Sequence, residues 1–181
     1  TLDAIDQLAA QQALPQADEI EAIEVQTYHL AAELDDPAPA NTLAAKFSVP
    51  FAVATRIVHG SSALASFTWE AVRRPDVLAL AAKVRVSHDP AMSQRLPMER
   101  PARVMMRLKD GRQLQAEAGV NRGDDASPYT RDELRAKFMD LSSRVWPAAH
   151  CSDLLETTLG LARLQVPLGR WLGLISRAPK A

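Results

Sequence analysis

Two runs of alternating polarity flank Asp110-Gly111, and they constrain the fold more than any other stretch of the chain. Val104, Met106 and Leu108 alternate with Arg103, Met105 and Arg107; Leu114, Ala116 and Ala118 alternate with Gln113, Gln115 and Glu117. Successive side chains of a strand point to opposite faces, so each run has one face for a core and one for water. Asp-Gly between such runs predicts a two-residue type I′ hairpin, whose central residues both need φ > 0. A sheet of this kind needs a cover on its apolar side.

The rest of the chain supplies more strands and that cover. Ile23, Val25 and Thr27 share one face of a predicted strand over 21–27, opposite Glu24 and Gln26. A further strand is predicted over 83–87, stopping at Asp89-Pro90, and 91–100 reads as a loop, as does 35–39. Leu2, Ile5, Leu8 and Ala9 form a helical stripe behind a Thr1 cap, and Pro15 ends it. Residues 44–54 pose a choice, because Pro50 inside a helix would cost about 3 kcal/mol. Capping at Ser48 removes the conflict, since proline in the first turn loses no hydrogen bond. A helix over 49–59 follows, with Pro50, Val53, Ala54, Ile57 and Val58 as its stripe and Gly60 closing it.

Helices are predicted over 64–73 and 75–81, the second opened by Pro75. After a polar loop at 121–125, Thr130-Arg131-Asp132-Glu133 has the capping-box pattern and opens a helix with Leu134, Phe138, Leu141 and Val145 on one face. Helices over 152–163 and from Pro167, with Leu168, Trp171, Leu172 and Ile175 as a stripe, complete the chain. The expected class is α+β: a small four-stranded antiparallel or mixed sheet with helices packed on it, plus C-terminal helices.

Charge and composition narrow the function classes. With a formal net charge of −1 over 181 residues and few aromatics, the chain has neither the field nor the stacking platform of a nucleic-acid binder. No apolar run approaches the ~20 residues needed to span a bilayer, and residues 1–4 lack the pattern of a signal peptide. The lone Cys151 fits a reducing compartment, so a cytoplasmic location is expected, with no membrane partner.

Catalytic signatures are sparse. His29, His59, His88 and His150 lie far apart, none with a partner at metal spacing, and read as surface or loop residues. Cys151 beside His150 invites thiol–imidazole chemistry, but a lone cysteine is more often a small buried hydrophobe. Asp35-Asp36 and Asp124-Asp125 read as solvated turn residues. There is no P-loop, nucleophile elbow, HExxH helix or Gly-rich dinucleotide turn. One arrangement suits an anion. If Ser48 caps its helix, a carboxylate there would meet Lys46, a hydroxyl and backbone N–H donors at the positive end of the helix, although Pro50 removes one donor. The plainer reading is that Ser48 only caps and Lys46 is solvated.

The run Ala45-Lys46-Phe47-Ser48-Val49-Pro50-Phe51-Ala52-Val53-Ala54, leading to Gly60, resembles the K-F-S-x-x-[YF]-x-x-A segment of the C-terminal domain of the MmgE/PrpD (2-methylcitrate dehydratase-like) family. The strand at Ile20 to Val25, the segment from Val77 to Pro90, the Asp110-Gly111 hairpin and the stretch from Gly123 through Pro128 to Phe138 are similar in the same order. The resemblance covers roughly 1–165. It implies an α+β lid closing over a mostly helical domain that carries the acid/base residues. It also implies dehydration, decarboxylation or epimerisation of a small polycarboxylate without metal or organic cofactor. Lys46, Ser48 and Phe51 become substrate-binding candidates, with Phe51 lacking the hydroxyl of the tyrosine found in many members. No catalytic residue is carried over, and none is assigned to a metal.

Three readings follow. The first is the lid domain of a cofactor-free lyase or isomerase, inactive alone, with Thr1 marking a domain boundary and the helical domain before it. Segments 1–14 and 150–181 would then be free to pack on that domain, and in its absence their apolar stripes favour a homo-oligomer. The second is a stand-alone small-ligand-binding or protein-interaction module that kept the lid fold. The third is an independent enzyme using His150 and Cys151.

Overall fold

Ile20, Ile23 and Val25 lose all solvent contact when strand β1 (Ile20–Thr27) takes its place inside a four-stranded sheet. The fold is that of a computed structural model describing residues 1–161, 163 and 165–179. Residue 162, within the helix predicted over 152–163, lies outside the described residues, as do 164, 180 and 181 of the C-terminal segment. Two compact units are present, Thr1–Ser127 and Pro128–Ala181.

In the first unit, β2 (Val84–His88), β3 (Ala102–Leu108) and β4 (Gln113–Ala118) join β1 in the order β2-β1-β3-β4. β1 runs antiparallel to β3 and β3 to β4, while β1 and β2 are parallel, with Ile23 opposite Val84 and Thr27 opposite His88. The sheet is therefore mixed, and the class is α+β as expected. Parallel neighbours need a crossover, here the helical segments between β1 and β2. Val104, Met106 and Leu108 face inward with Ile23 and Val25, and each such burial contributes roughly 1.5–3 kcal/mol. Arg103 and Arg107 stand on the other face, bonded to Glu117 and Glu21.

The hairpin exists, but its turn is not type I′. Gly111 donates to the Leu108 carbonyl at 3.0 Å, and Leu108 donates to the Arg112 carbonyl at 2.9 Å. The loop is thus the three residues Lys109, Asp110 and Gly111, a type I turn followed by glycine at φ 89°. The Asp110 carboxylate accepts the Arg112 N–H at 3.0 Å, which a two-residue loop would not offer in this way.

Helices α1 (Leu2–Gln11) and α4 (Val49–His59) cover the inner face. Ala4, Ile5 and Leu8 of α1 are buried in the same core as Val104 and Ala116, so the stripe of this helix is used within its own unit. Thr1 occupies the cap position but makes no side-chain capping bond. Arg56 of α4 reaches Asp6 of α1 at 2.7 Å. Between β1 and β2 the chain also forms α2 (His29–Ala32), α3 (Thr42–Lys46), a 3-10 turn (Leu64–Phe67), α5 (Trp69–Val72) and α6 (Pro75–Ala81). Thr68 interrupts the helix predicted over 64–73, its hydroxyl capping α5 at the Ala71 N–H. A single turn, α7 (Pro90–Ser93), occupies the start of the predicted 91–100 loop, capped by Asp89.

The second unit contains α8 (Arg131–Ser142), α9 (Ala148–Leu161) and α10 (Leu168–Ile175). The capping box is formed in both directions: Glu133 N–H to the Thr130 hydroxyl at 3.2 Å, and Thr130 N–H to the Glu133 carboxylate at 2.7 Å. The apolar stripe of α8 remains exposed at Leu134 and Leu141, and α10 exposes Leu168, Leu172 and Ile175. No described helix is long and apolar enough to cross a membrane.

Candidate functional site

The end of α3 and the start of α4 meet at Phe47 and Ser48. Asn41 begins α3 by accepting the N–H groups of Leu43 and Ala44 at 3.0 and 2.9 Å. That short helix delivers Lys46 at its last turn, where a cation is favourable beside the outward carbonyls. Ser48 then caps α4, accepting the Phe51 N–H at 2.9 Å, with Pro50 in the first turn and Gly60 at φ 68° closing the helix. An open groove of about 350 Å³ lies beside this junction, bordered by Asp3, Leu34, Lys46, Phe47, Ser48 and Asn121 among others.

The chemistry this groove offers is simpler than the sequence pattern implies. Ser48 is 2% exposed, and its hydroxyl donates to the Asp36 carbonyl while accepting from Phe51. Its proton is therefore already used. The Val49 N–H goes to the Leu34 carbonyl at 2.8 Å, Pro50 has none, and the Phe51 N–H goes to Ser48. No donor of the first turn of α4 is left for a ligand. Lys46, by contrast, is exposed, and no hydrogen bond or ion pair engages its ammonium among the described residues. The groove thus presents the exposed Lys46 cation near the positive end of a helix, with Asp3 as an opposing charge on its border.

The structure brings Lys46 and Ser48 to one groove and sets Phe51 apart. Phe51 has no solvent exposure, and its ring lies 6.0 Å from that of Phe67, centroid to centroid. In this arrangement Phe51 positions the helix through the core.

A family model of the MmgE/PrpD C-terminal domain matches residues 1–161. The chain belongs to the MmgE/PrpD family. No curated protein matches it. The matched span takes in the sheet, the Lys46–Ser48 junction and the MmgE/PrpD segment as far as the last residue of α9, and stops before α10.

Elsewhere in this MmgE/PrpD domain His29 and His88 are exposed, as expected, whereas His59 is half-buried and His150 is not at the surface. His150 is buried in α9: its Nε2 donates to the Leu174 carbonyl at 3.0 Å, and Arg177 reaches its Nδ1 at 3.3 Å. Cys151 is also buried, its thiol directed at the Trp146 carbonyl and not at the imidazole. His29 and His88, 59 positions apart, converge on Ser93. Sequence spacing could not reveal that meeting, since it depends on the parallel pairing of β1 with β2. Among the described residues no group of three or more His, Cys, Asp or Glu side chains is placed to hold a metal.

On the solvent face of the sheet, Arg103 of β3 and Arg95 both grip Glu117 of β4, at 2.7 and 2.8 Å. The hydrogen bonds from Arg95 and then Arg103 hold the Glu117 carboxyl below the usual glutamate range.

Proposed function

We propose that this chain is the lid domain of a cofactor-free lyase or isomerase acting on a small polycarboxylate, of the 2-methylcitrate dehydratase-like kind, and that it is inactive alone. The observation that carries the reading is the family match over 1–161, which takes in the Lys46–Ser48 junction. The free Lys46 ammonium on an open groove supports a role in holding one substrate carboxylate, as a charge-assisted contact. Ser48 would act by fixing the start of α4, and Phe51 by anchoring that helix in the core. The acid/base groups would come from a helical domain of the family type. The buried free thiol of Cys151 is compatible with a cytoplasmic location, which belongs to the same proposal.

The test pairs binding with turnover. Joined to a helical domain of the family, the chain should support loss of water, loss of CO₂ or epimerisation of a citrate-like substrate, with no turnover by the chain alone. Citrate should shift the amide resonances of residues 46–52, and Lys46→Ala should abolish the shift. Turnover by the isolated chain, or no shift at millimolar citrate with the helical domain present, would refute the reading.

A stand-alone interaction module is the second reading. The exposed large apolar side chains of α8 and α10, at Leu134, Leu141, Leu168, Leu172 and Ile175, favour it, because each helix offers apolar surface that a partner could cover.

A further inference from the structure

The ends of β1 and β2 carry two imidazoles to the same point. Thr27 pairs with His88 across the parallel ladder, and the Asp89 N–H donates to the Thr27 carbonyl at 2.9 Å, so the backbones are tied up to the last rung. One residue past Tyr28, His29 opens α2; its N–H donates to the Ser93 hydroxyl at 3.0 Å. His29 Nδ1 lies 3.2 Å from that oxygen and His88 Nε2 lies 2.8 Å from it. The two rings stand edge to face, with centroids 6.2 Å apart.

A serine oxygen accepts two hydrogen bonds and donates one. The His29 amide takes one lone pair, which leaves one lone pair and one proton for two imidazole nitrogens. One nitrogen must donate to Ser93 and the other must accept from it. A bare imidazole lone pair is therefore aimed at this point in every arrangement that satisfies all three contacts, and the second becomes bare in the other tautomer of its ring.

We propose that His29 and His88 form a binding site for a late first-row divalent cation of the zinc or nickel type, between the two ring nitrogens that meet the Ser93 hydroxyl, which swings aside to admit it. Imidazole nitrogen suits such borderline cations, whereas Mg²⁺ and Ca²⁺ demand oxygen ligands. Bonds of about 2.0–2.1 Å in tetrahedral geometry place two coordinated rings roughly 5 Å apart, centroid to centroid. The rings close by about 1 Å from their present separation to reach that geometry. Both histidines are exposed, so side-chain rotation suffices while the paired backbones stay fixed. The protein supplies two nitrogens, and water, with or without the Ser93 oxygen, fills the remaining positions. With half the protein ligands of a closed structural site, binding is reversible and yields to a chelator. The site uses no residue of the Lys46 groove, so it stands or falls separately from the lid reading.

The experiment follows the imidazole resonances of the protein at mildly alkaline pH during titration with Zn²⁺, because a cation competes with protons for these nitrogens. His29 and His88 should shift together and saturate at one equivalent, while His59 and His150 hold still. Mg²⁺ should move none of them. His29→Gln and His88→Gln should each remove the saturable event, and Ser93→Ala should retain it, with urea unfolding midpoints confirming that the variants are folded. Zinc binding by His88→Gln equal to that of the parent, or non-saturating shifts of all four histidines alike, would overturn the proposal.

Discussion

The Ser48 hydroxyl accepts the Phe51 N–H at 2.9 Å while its own proton goes to the Asp36 carbonyl. One side chain therefore joins the cap of α4 to the loop twelve residues earlier. Ser48→Ala removes both bonds and leaves a buried amide unpaired, so a loss of about 1–2 kcal/mol is expected. Urea unfolding measures it; an unchanged midpoint would mean that the cap contributes nothing to stability.

Phe51 behaves as core. Its ring is fully buried beside Phe67, and Phe51→Ala should destabilise the protein by about 3–5 kcal/mol through lost burial and the cavity left behind. Lys46→Ala, by contrast, should leave stability within about 0.5 kcal/mol, since that side chain is exposed and its ammonium has no partner among the described residues. Chemical denaturation of the two variants side by side separates a structural residue from a ligand-facing one.

Gly111 sits at φ 89°, a backbone conformation that side chains disfavour. The space around its Cβ position is open, so Gly111→Ala tests the backbone alone. A loss of more than about 1 kcal/mol is expected, read by thermal unfolding.

Stability should fall in acid in a way that depends on two carboxyls. Arg95 and Arg103 hold Glu117 below its usual range, and the hydrogen bond from Arg74 lowers Asp76 to about 2. A depressed folded-state pKa stabilises above the unfolded-state value, and that contribution is lost as pH falls through the folded one. The losses therefore begin below the ordinary values of 4.5 for Glu117 and 3.8 for Asp76, the second continuing to about pH 2. Both groups are partly exposed, so solvent screening keeps the effect small. Glu117→Gln should flatten the upper part of the acid limb in urea midpoints measured against pH. An unchanged limb would remove Glu117 from the account.

How much was legible differs by element. β1, the β3–β4 hairpin, α4 between Ser48 and Gly60, and the Thr130–Glu133 capping box all declare themselves within a few neighbouring residues, because alternation, proline placement and caps are local physics. The one-turn helices α2, α3 and α7 did not. Segments that short make too few internal bonds to stabilise themselves and take their form from what they pack against. The hairpin turn escapes the local pattern for a related reason: Asp110-Gly111 suits both a two-residue loop and the last two positions of a three-residue one. The candidate site was half visible. The pattern placed Lys46 beside the cap, but only the fold showed that Asp36 and Leu34 occupy the serine and amide groups a ligand would need.

By itself the sequence determined the strand faces, the helix limits around Pro50 and Gly60, and the family to which the whole arrangement belongs. These follow from periods of two and near four residues and from backbone restrictions on proline and glycine. The tertiary structure decided which strands are neighbours, and with that the parallel rung that brings His29 and His88 to one oxygen. It also decided that Phe51 is core and Lys46 is exposed. Hydrogen-bond partners far apart in the chain are chosen by packing, and no local pattern encodes them.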